Sequence, residues 1–370
     1  MTLNYIGSKK TLLPVLDYVI SSNIKEEKST FGDLFAGTGI VGEYFSKKGF
    51  YVTANDTENY SYVINYATLI SSYTENIKNI IETFKHLEGI SGLIHKNYSP
   101  LGKRLFFTEE NAKIADAVRL KIEELKNQNK IDNDEYYFLI SSLIQSIDKV
   151  ANTTSVYGAF LKKFKDSSLK KLVISPIHLI TNSRKHNVIQ KDILQITDKF
   201  DVAYLDPPYV ARQYGANYCP LNFIVEYNDK IELKGKTGLY NYYKSPFASK
   251  LNALKAFEKM FETISKNCSH IFLSYNNNGI LTLDELINIM KQYGDIITYK
   301  YSYKKFQASK TKQVETTEVK TTEVKTTEVK TTDKNTEYVH YLKCNGGNSI
   351  KTIQLVKIKK HIVEESTTDK

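Results

Sequence analysis

The run DVAYLDPPY at residues 201–209 constrains this chain more than any other feature. Val202, Ala203, Tyr204 and Leu205 are apolar in succession, which reads as a strand covered on both faces, as in a parallel sheet. Pro207 and Pro208 fix φ and lack an N–H, so the strand must stop at Asp206. Open α/β sheets bind ligands at the carboxyl ends of their strands. The unit from Asp206 to Tyr209 therefore arrives where ligands bind, carrying a carboxylate, free carbonyls and an aromatic ring. An exocyclic amine needs that set of groups. Asp206 and the Pro207 carbonyl can each accept one N–H, drawing the nitrogen toward tetrahedral geometry and exposing its lone pair. Tyr209 can stack on the base that carries the amine. A rigid strand exit would account for the prolines but not for the whole unit.

The rest of the chain supplies the sheet. Residues 11–20 carry apolar side chains at 12, 13, 15, 16, 19 and 20, a helical stripe. Strand, helix, strand and helix follow at 31–35, 40–48, 50–55 and 60–71. This alternation predicts an α/β fold with helices on both faces of a parallel sheet. Residues 76–185 read mainly as helix, best at 77–84, 111–126 and 134–150, with Asp132 or Asn133 as a cap for the last. Strands return at 187–190, 200–205, 270–275 and 296–303, with helices at 250–266 and 283–293. The expected organisation is a first part of a catalytic domain at 1–75, a helical insertion at 76–185 and the catalytic domain continued at 186–306.

A repeat follows. TTEVK occurs at 316–320, 321–325 and 326–330. Period five fits neither helix nor strand, and one Val per unit buries too little to offset ordering entropy. Residues 307–334 are expected to be a disordered loop. Residues 336–343 alternate like a strand, so 335–370 reads as a last strand and a basic, peripheral tail.

Asp33-Leu34-Phe35-Ala36-Gly37-Thr38-Gly39 leaves the first strand and opens a helix. Glycines there let the backbone approach a ligand at a helix N-terminus. With Gly42 the run formally matches the dinucleotide fingerprint, so a dehydrogenase is a rival on this motif alone. Two further features help. Asp56, after the second strand, can bind ribose hydroxyls. Asp33 adds a negative charge that a pyrophosphate does not want but the cationic end of S-adenosylmethionine accepts.

Lys+Arg is 51 against 41 Asp+Glu, a net charge of +10. A lysine-rich excess suits a polyanion, and solubility or an AT-rich genome explains it equally well. Lys162, Lys163 and Lys165 are candidate phosphate contacts. Arg212, Tyr214, Tyr240, Tyr242, Tyr243 and Lys244 interleave aromatic and basic groups as contact with a flipped strand requires. Cys219, Cys268 and Cys344 are far apart, so neither a disulfide nor a zinc site is expected, and no metal is assigned. No apolar run approaches the ~20 residues of a membrane span, and the start lacks a signal-peptide layout. The expectation is a cytoplasmic, bacterial protein.

With these motifs in order, residues 1–305 and 336–343 resemble the D12-class N6-adenine DNA methyltransferases of bacterial restriction–modification systems, in their alpha arrangement. The resemblance implies a class I S-adenosylmethionine-dependent fold: a mostly parallel, seven-stranded, Rossmann-like sheet whose last strand is antiparallel. Tyr5-Ile6-Gly7-Ser8-Lys9 resembles the N-terminal motif that holds the methionine part of the cofactor, through Tyr5, Gly7 and Lys9. Asp33, Phe35, Gly37 and Gly39 match the cofactor loop, and Asp56 the ribose-binding acid. Asp192 and Ile193 resemble the segment around the cofactor's adenine. Asp206, Pro207, Pro208 and Tyr209 match the catalytic motif. The implied reaction methylates N6 of an adenine flipped out of double-stranded DNA, with the insertion reading the target and a separate restriction endonuclease as partner. Methylation of RNA guanine or of cytosine N4 stays open beside it, as does a non-catalytic DNA-binding protein of the same fold. A dehydrogenase has no use for the 206–209 unit.

Overall fold

The computed structural model describes residues 3–24, 29–177, 185–304, 334–345, 347, 349–358 and 361–364. The TTEVK repeat and nearly all of the loop expected at 307–334 lie outside the described residues.

From the N-terminus come helix α1 (Leu13–Asn23), strand β1 (Thr30–Asp33), helix α2 (Ile40–Lys47) and strand β2 (Tyr51–Asn55). Five helices follow: α3 (Asn59–Leu69), α4 (Glu75–Phe84), α5 (Leu93–Tyr98), α6 (Glu109–Asn127) and α7 (Asn133–Lys149). Asp132 caps α7 in a reciprocal box with Glu135, which satisfies two otherwise orphaned backbone donors. The chain returns to the sheet with β3 (Asn187–Ile189) and β4 (Phe200–Leu205), then forms helices α8 (Tyr214–Asn217), α9 (Cys219–Glu226) and α10 (Ala253–Ile264). Strand β5 (Cys268–Asn276), helix α11 (Leu283–Met290) and strands β6 (Gly294–Lys304), β7 (Lys334–Cys344), β8 (Ile350–Ile358) and β9 (His361–Glu364) complete the described chain.

Among the described residues nine strands form one sheet, in the order β3-β2-β1-β4-β5-β7-β6-β8-β9. The first five run parallel. Strand β7 is antiparallel to both β5 and β6, β8 joins β6 in parallel and β9 pairs antiparallel with β8. The expectation of a mostly parallel, seven-stranded sheet is thus corrected to a mixed, nine-stranded one. The antiparallel strand expected near 336–343 is β7, but two strands follow it. Residues 350–358 are not a peripheral tail. Ile353 and Leu355 are buried with Ile362 in the core beside α1, so a period-two pattern is interleaved among the lysines that suggested a basic end.

Side chains alternate across the sheet. Val202 and Tyr204 of β4 pack on the α1–α2 face, and Ala203 and Leu205 on the α10–α11 face. Each large apolar side chain buried this way contributes about 1.5–3 kcal/mol. Helices α3, α4, α6, α7 and α9 build a separate aromatic-rich core. Asp33 lies level with Tyr204 in the β1–β4 register. The loops leaving β1 and β4 therefore open at one sheet edge, on adjacent strands, where the strand order reverses direction. No helix among the described residues is long and apolar enough to cross a membrane.

Candidate active site

The turn after β1 is built around its glycines. Gly37 (φ 52) and Gly39 (φ 76) adopt left-handed backbone. A Cβ at Gly39 would meet Asn65 Oδ1 at 2.5 Å, and one at Gly37 would meet the Tyr5 ring at 3.0 Å. The Gly37 N–H donates to Asp56 Oδ2 at 2.8 Å, and the Glu58 N–H to Asp56 Oδ1 at 3.0 Å. Asp56 thus ties the end of β2 to the glycine turn, and burial pushes its carboxyl up. Asp33 lies beneath the turn, 1% exposed, accepting from the Gly42 N–H at 2.9 Å. Burial raises its carboxyl to about 7. Gly42 is therefore spaced for contact with Asp33.

Of these groups, Asp56 and Glu58 border a solvent-open cavity. Tyr5, Gly7, Phe35, Asp56, Ile193, Asp206, Pro208 and Tyr214, all selected from the sequence, line it. Phe35 and Phe247 meet edge to face at 5.5 Å on its apolar side. Asp192 stands beside this wall with both oxygens engaged. Oδ1 accepts from the Leu194 N–H at 2.9 Å and Oδ2 from the Tyr243 hydroxyl at 2.8 Å. Tyr243, expected against a flipped strand, lines the cavity.

The N-terminal segment is clamped by aromatics. Tyr5 stacks on Tyr218 at 4.8 Å and meets Tyr214 at 5.4 Å. The Ile6 N–H donates to the Tyr218 hydroxyl at 2.8 Å, and the Tyr214 hydroxyl to the Ile6 carbonyl at 3.2 Å. Tyr214 is thus a packing partner of this segment rather than an exposed strand contact. The clamp delivers Lys9, 3% exposed, to the end of β4. Its Nζ lies 3.0 Å from Asp206 Oδ1 and 2.8 Å from Glu337 Oε1. It also stands 5.3 Å from the Tyr209 ring centroid, within cation–π range. Burial opposes the Lys9 charge, but Asp206 and Glu337 outweigh it and hold the ammonium well above its ordinary value. Burial raises Asp206 to about 6, with Lys9 acting against that rise and Glu337 adding to it. The Tyr209 ring packs on Tyr275 at 5.7 Å.

Lys162, Lys163, Arg212 and Lys244 are exposed. Lys165 is not free for phosphate, because its Nζ donates to the Thr153 carbonyl at 2.6 Å.

Sequence reasoning missed two acids. Glu337 reaches the site from β7. Glu58, 5% exposed, lines the cavity. Burial raises Glu58 to about 7, with neighbouring Asp56 adding to the rise, and Asn222 Nδ2 donates to it. The Asp-x-Glu spacing after β2 was visible, but nothing local signalled that Glu58 is buried.

The sheet and its cleft are those of an α/β methyltransferase, with an acceptor-rich loop beside a solvent-open cavity. The family model for D12 class N6 adenine-specific DNA methyltransferase matches residues 5–289, and the chain belongs to that family. Type II methyltransferase M.NlaIII of Neisseria lactamica is 43% identical over 84% of this chain and 94% of its own length. Type II methyltransferase M.CviAII of Paramecium bursaria Chlorella virus 1 is 37% identical over 83% and 93%. Type II methyltransferase M.FokI of Planomicrobium okeanokoites is 36% identical over 84% of this chain and 50% of its own length. The chain is a site-specific, adenine-specific DNA methyltransferase, and the family's methyl donor is S-adenosylmethionine.

Proposed function

We propose that the cavity between the β1 and β4 loops holds S-adenosylmethionine and that the target adenine enters it flipped out of duplex DNA. The chemistry of the cavity supports the fit. Asp56 and Glu58 line it and are carboxyls whose burial disfavours their charge, a cost that a cationic ligand relieves and a pyrophosphate would deepen. Asp56 would take the ribose hydroxyls, Phe35 and Ile193 the adenine ring faces, and Asp192 the adenine amino group. Tyr5 and Gly7 would border the methionine end. When bound, the cofactor supplies a methyl group activated by its sulfonium charge.

The chain's own residues do the rest. Asp206 and the Pro207 carbonyl accept the two N6 hydrogens and fix the direction of the nitrogen lone pair. Tyr209 replaces the stacking lost on extrusion, and its ring is held from behind by Tyr275. A flipped base is required because stacking in the duplex hides the amino group from in-line attack. The methylated nitrogen becomes acidic, so water suffices to take its proton. The observation that carries this reading is that Asp206 and Asp56 border one cavity from the ends of two parallel strands.

Residues 76–185 are the segment we assign to target recognition. Exposed Lys162, Lys163, Arg212 and Lys244 are assigned to DNA phosphates, which position a duplex without reading it. A cognate restriction endonuclease acting separately, and a cytoplasmic location, follow from the same reading.

Mapping methylated positions in plasmid DNA identifies the site, and 2-aminopurine placed at the target adenine then tests extrusion. Fluorescence should rise on binding at that position and stay flat when the probe lies outside the site. An unchanged signal at the target would contradict base flipping.

A further inference from the structure

Lys9 needs only one carboxylate to balance its charge, yet it has two. Its Nζ lies 3.0 Å from Asp206 Oδ1 and 2.8 Å from Glu337 Oε1. Glu337 is 2% exposed. It sits on β7 directly across the ladder from Asn276 of β5, whose Nδ2 donates to Glu337 Oε2 at 3.3 Å. The second acid is therefore anchored by its own cross-strand partner. Burying a third charge beside an ion pair is costly in stability terms, so packing alone does not explain it. Glu337 also lies beyond residues 5–289, the span matched by the family.

We propose that Glu337 is a positioning residue for methyl transfer: it shares the Lys9 ammonium with Asp206 and so keeps the Asp206 carboxylate available to the substrate amine. Lys9 divides its donors between the two carboxylates. An ammonium has three N–H groups and accepts nothing. Facing Asp206 alone, Lys9 would form a closed, neutral pair, and the carboxylate would be a weaker acceptor for a third group. With Glu337 present the cluster carries one net negative charge. Part of the ammonium's field is spent on Glu337, and Asp206 keeps acceptor strength where the amine arrives. Lys9 is also fixed from β7, so Asp206 is oriented by a rigid sheet rather than by the N-terminal segment alone.

Lys9 and Glu337 are the charged groups nearest Asp206, with Asp33 on β1 and the hydroxyls of Tyr204 and Tyr214 and the Tyr209 ring around them. Removing the Glu337 charge strengthens the hold of Lys9 on Asp206. The carboxylate then stays ionised to lower pH while becoming a poorer acceptor.

This inference rests on Asp206 being the amine acceptor, so Asp206→Asn is run beside Glu337→Gln, with single-turnover methylation followed across pH. Glu337→Gln is expected to lower the plateau rate on the order of tenfold, the scale of one charge-assisted contact. It should also move the acid limb to lower pH, with cofactor affinity nearly unchanged. Glu337→Asp, which restores the charge, should bring the acid limb back toward that of the parent. An unmoved acid limb in Glu337→Gln overturns the proposal whether or not the rate falls, since a purely structural loss changes amplitude alone. Normal methylation by Asp206→Asn would instead remove the acceptor reading beneath it. If Glu337→Gln does not fold, carboxyl carbon-13 NMR of the unmodified enzyme replaces it. The Asp206 signal should then titrate in more than one step, as a group coupled to its neighbours does, and a single-step titration overturns the proposal.

Discussion

Lys9 Nζ lies 3.0 Å from Asp206 Oδ1, so the N-terminal segment ends on the carboxylate proposed to accept the substrate amine. The motif containing Lys9 was expected to hold the cofactor. Tyr5 and Gly7 do line the cavity, but Lys9 belongs to the acceptor side of the site. The N-terminal motif and the 206–209 unit therefore act as one device. A change at either should reach the other.

Asp206→Ala is expected to abolish methyl transfer while leaving cofactor binding largely intact, because Asp206 stands apart from the glycine turn. Losing a positioned group that meets developing charge costs ~10²–10³-fold or more. Isothermal titration with the cofactor and methyl incorporation from labelled donor check the two halves. Near-normal turnover would end the proposed role of Asp206.

Methylation should fall as pH drops through about 6, the value to which burial raises Asp206. The sign follows from function: only the ionised carboxylate accepts both without a proton of its own and with full strength. Single-turnover rates across pH check this. An acid limb in the ordinary carboxylate range would mean that another group controls the step.

Stability should move the opposite way. Asp33 and Glu58 are raised to about 7 in the folded protein, so the folded state binds more protons than the unfolded one between the unfolded carboxylate range and that value. Their contribution is fully present below the unfolded pKa and is lost as pH rises through about 7. The cofactor-free protein should therefore lose part of its melting temperature on passing from mildly acidic to mildly basic buffer. Asp33→Asn should flatten that loss. Calorimetry of both proteins, with equal slopes for the two, would show that Asp33 is not the source.

Tyr209→Phe should keep most activity and Tyr209→Ala lose most of it. Phe preserves a stacking face worth roughly 1–3 kcal/mol per base, and Ala preserves neither face nor volume. Equal damage in both would assign the hydroxyl to the chemistry. No damage in either would show that the ring does not stack on the base.

Much of the site was readable because its groups are local. Val202 to Leu205 announce β4 by continuous apolarity, and Pro207 and Pro208 announce its end. Asp132 and Glu135 announce the start of α7 at the expected cap. Where the sequence was opaque, the reason is physical. Strands β8 and β9 hide their alternation among lysines. Helices α5, α8 and α9 are short, and α9 presents Asn222 to a buried Glu58 that only tertiary packing brings near. The Lys9–Asp206–Glu337 cluster joins three distant segments, and no spacing could have shown it. Tyr243 was legible as an aromatic in a basic loop, but its bond to Asp192 depends on the fold of that loop.

This chain methylates adenine at N6 in DNA. Incubation of unmethylated plasmid DNA with methyl-labelled S-adenosylmethionine, followed by digestion and nucleoside mass spectrometry, tests it most directly. Labelled N6-methyladenine is expected, and it should disappear with Asp206→Ala. Label in N4-methylcytosine, or in RNA but not DNA, would contradict that activity.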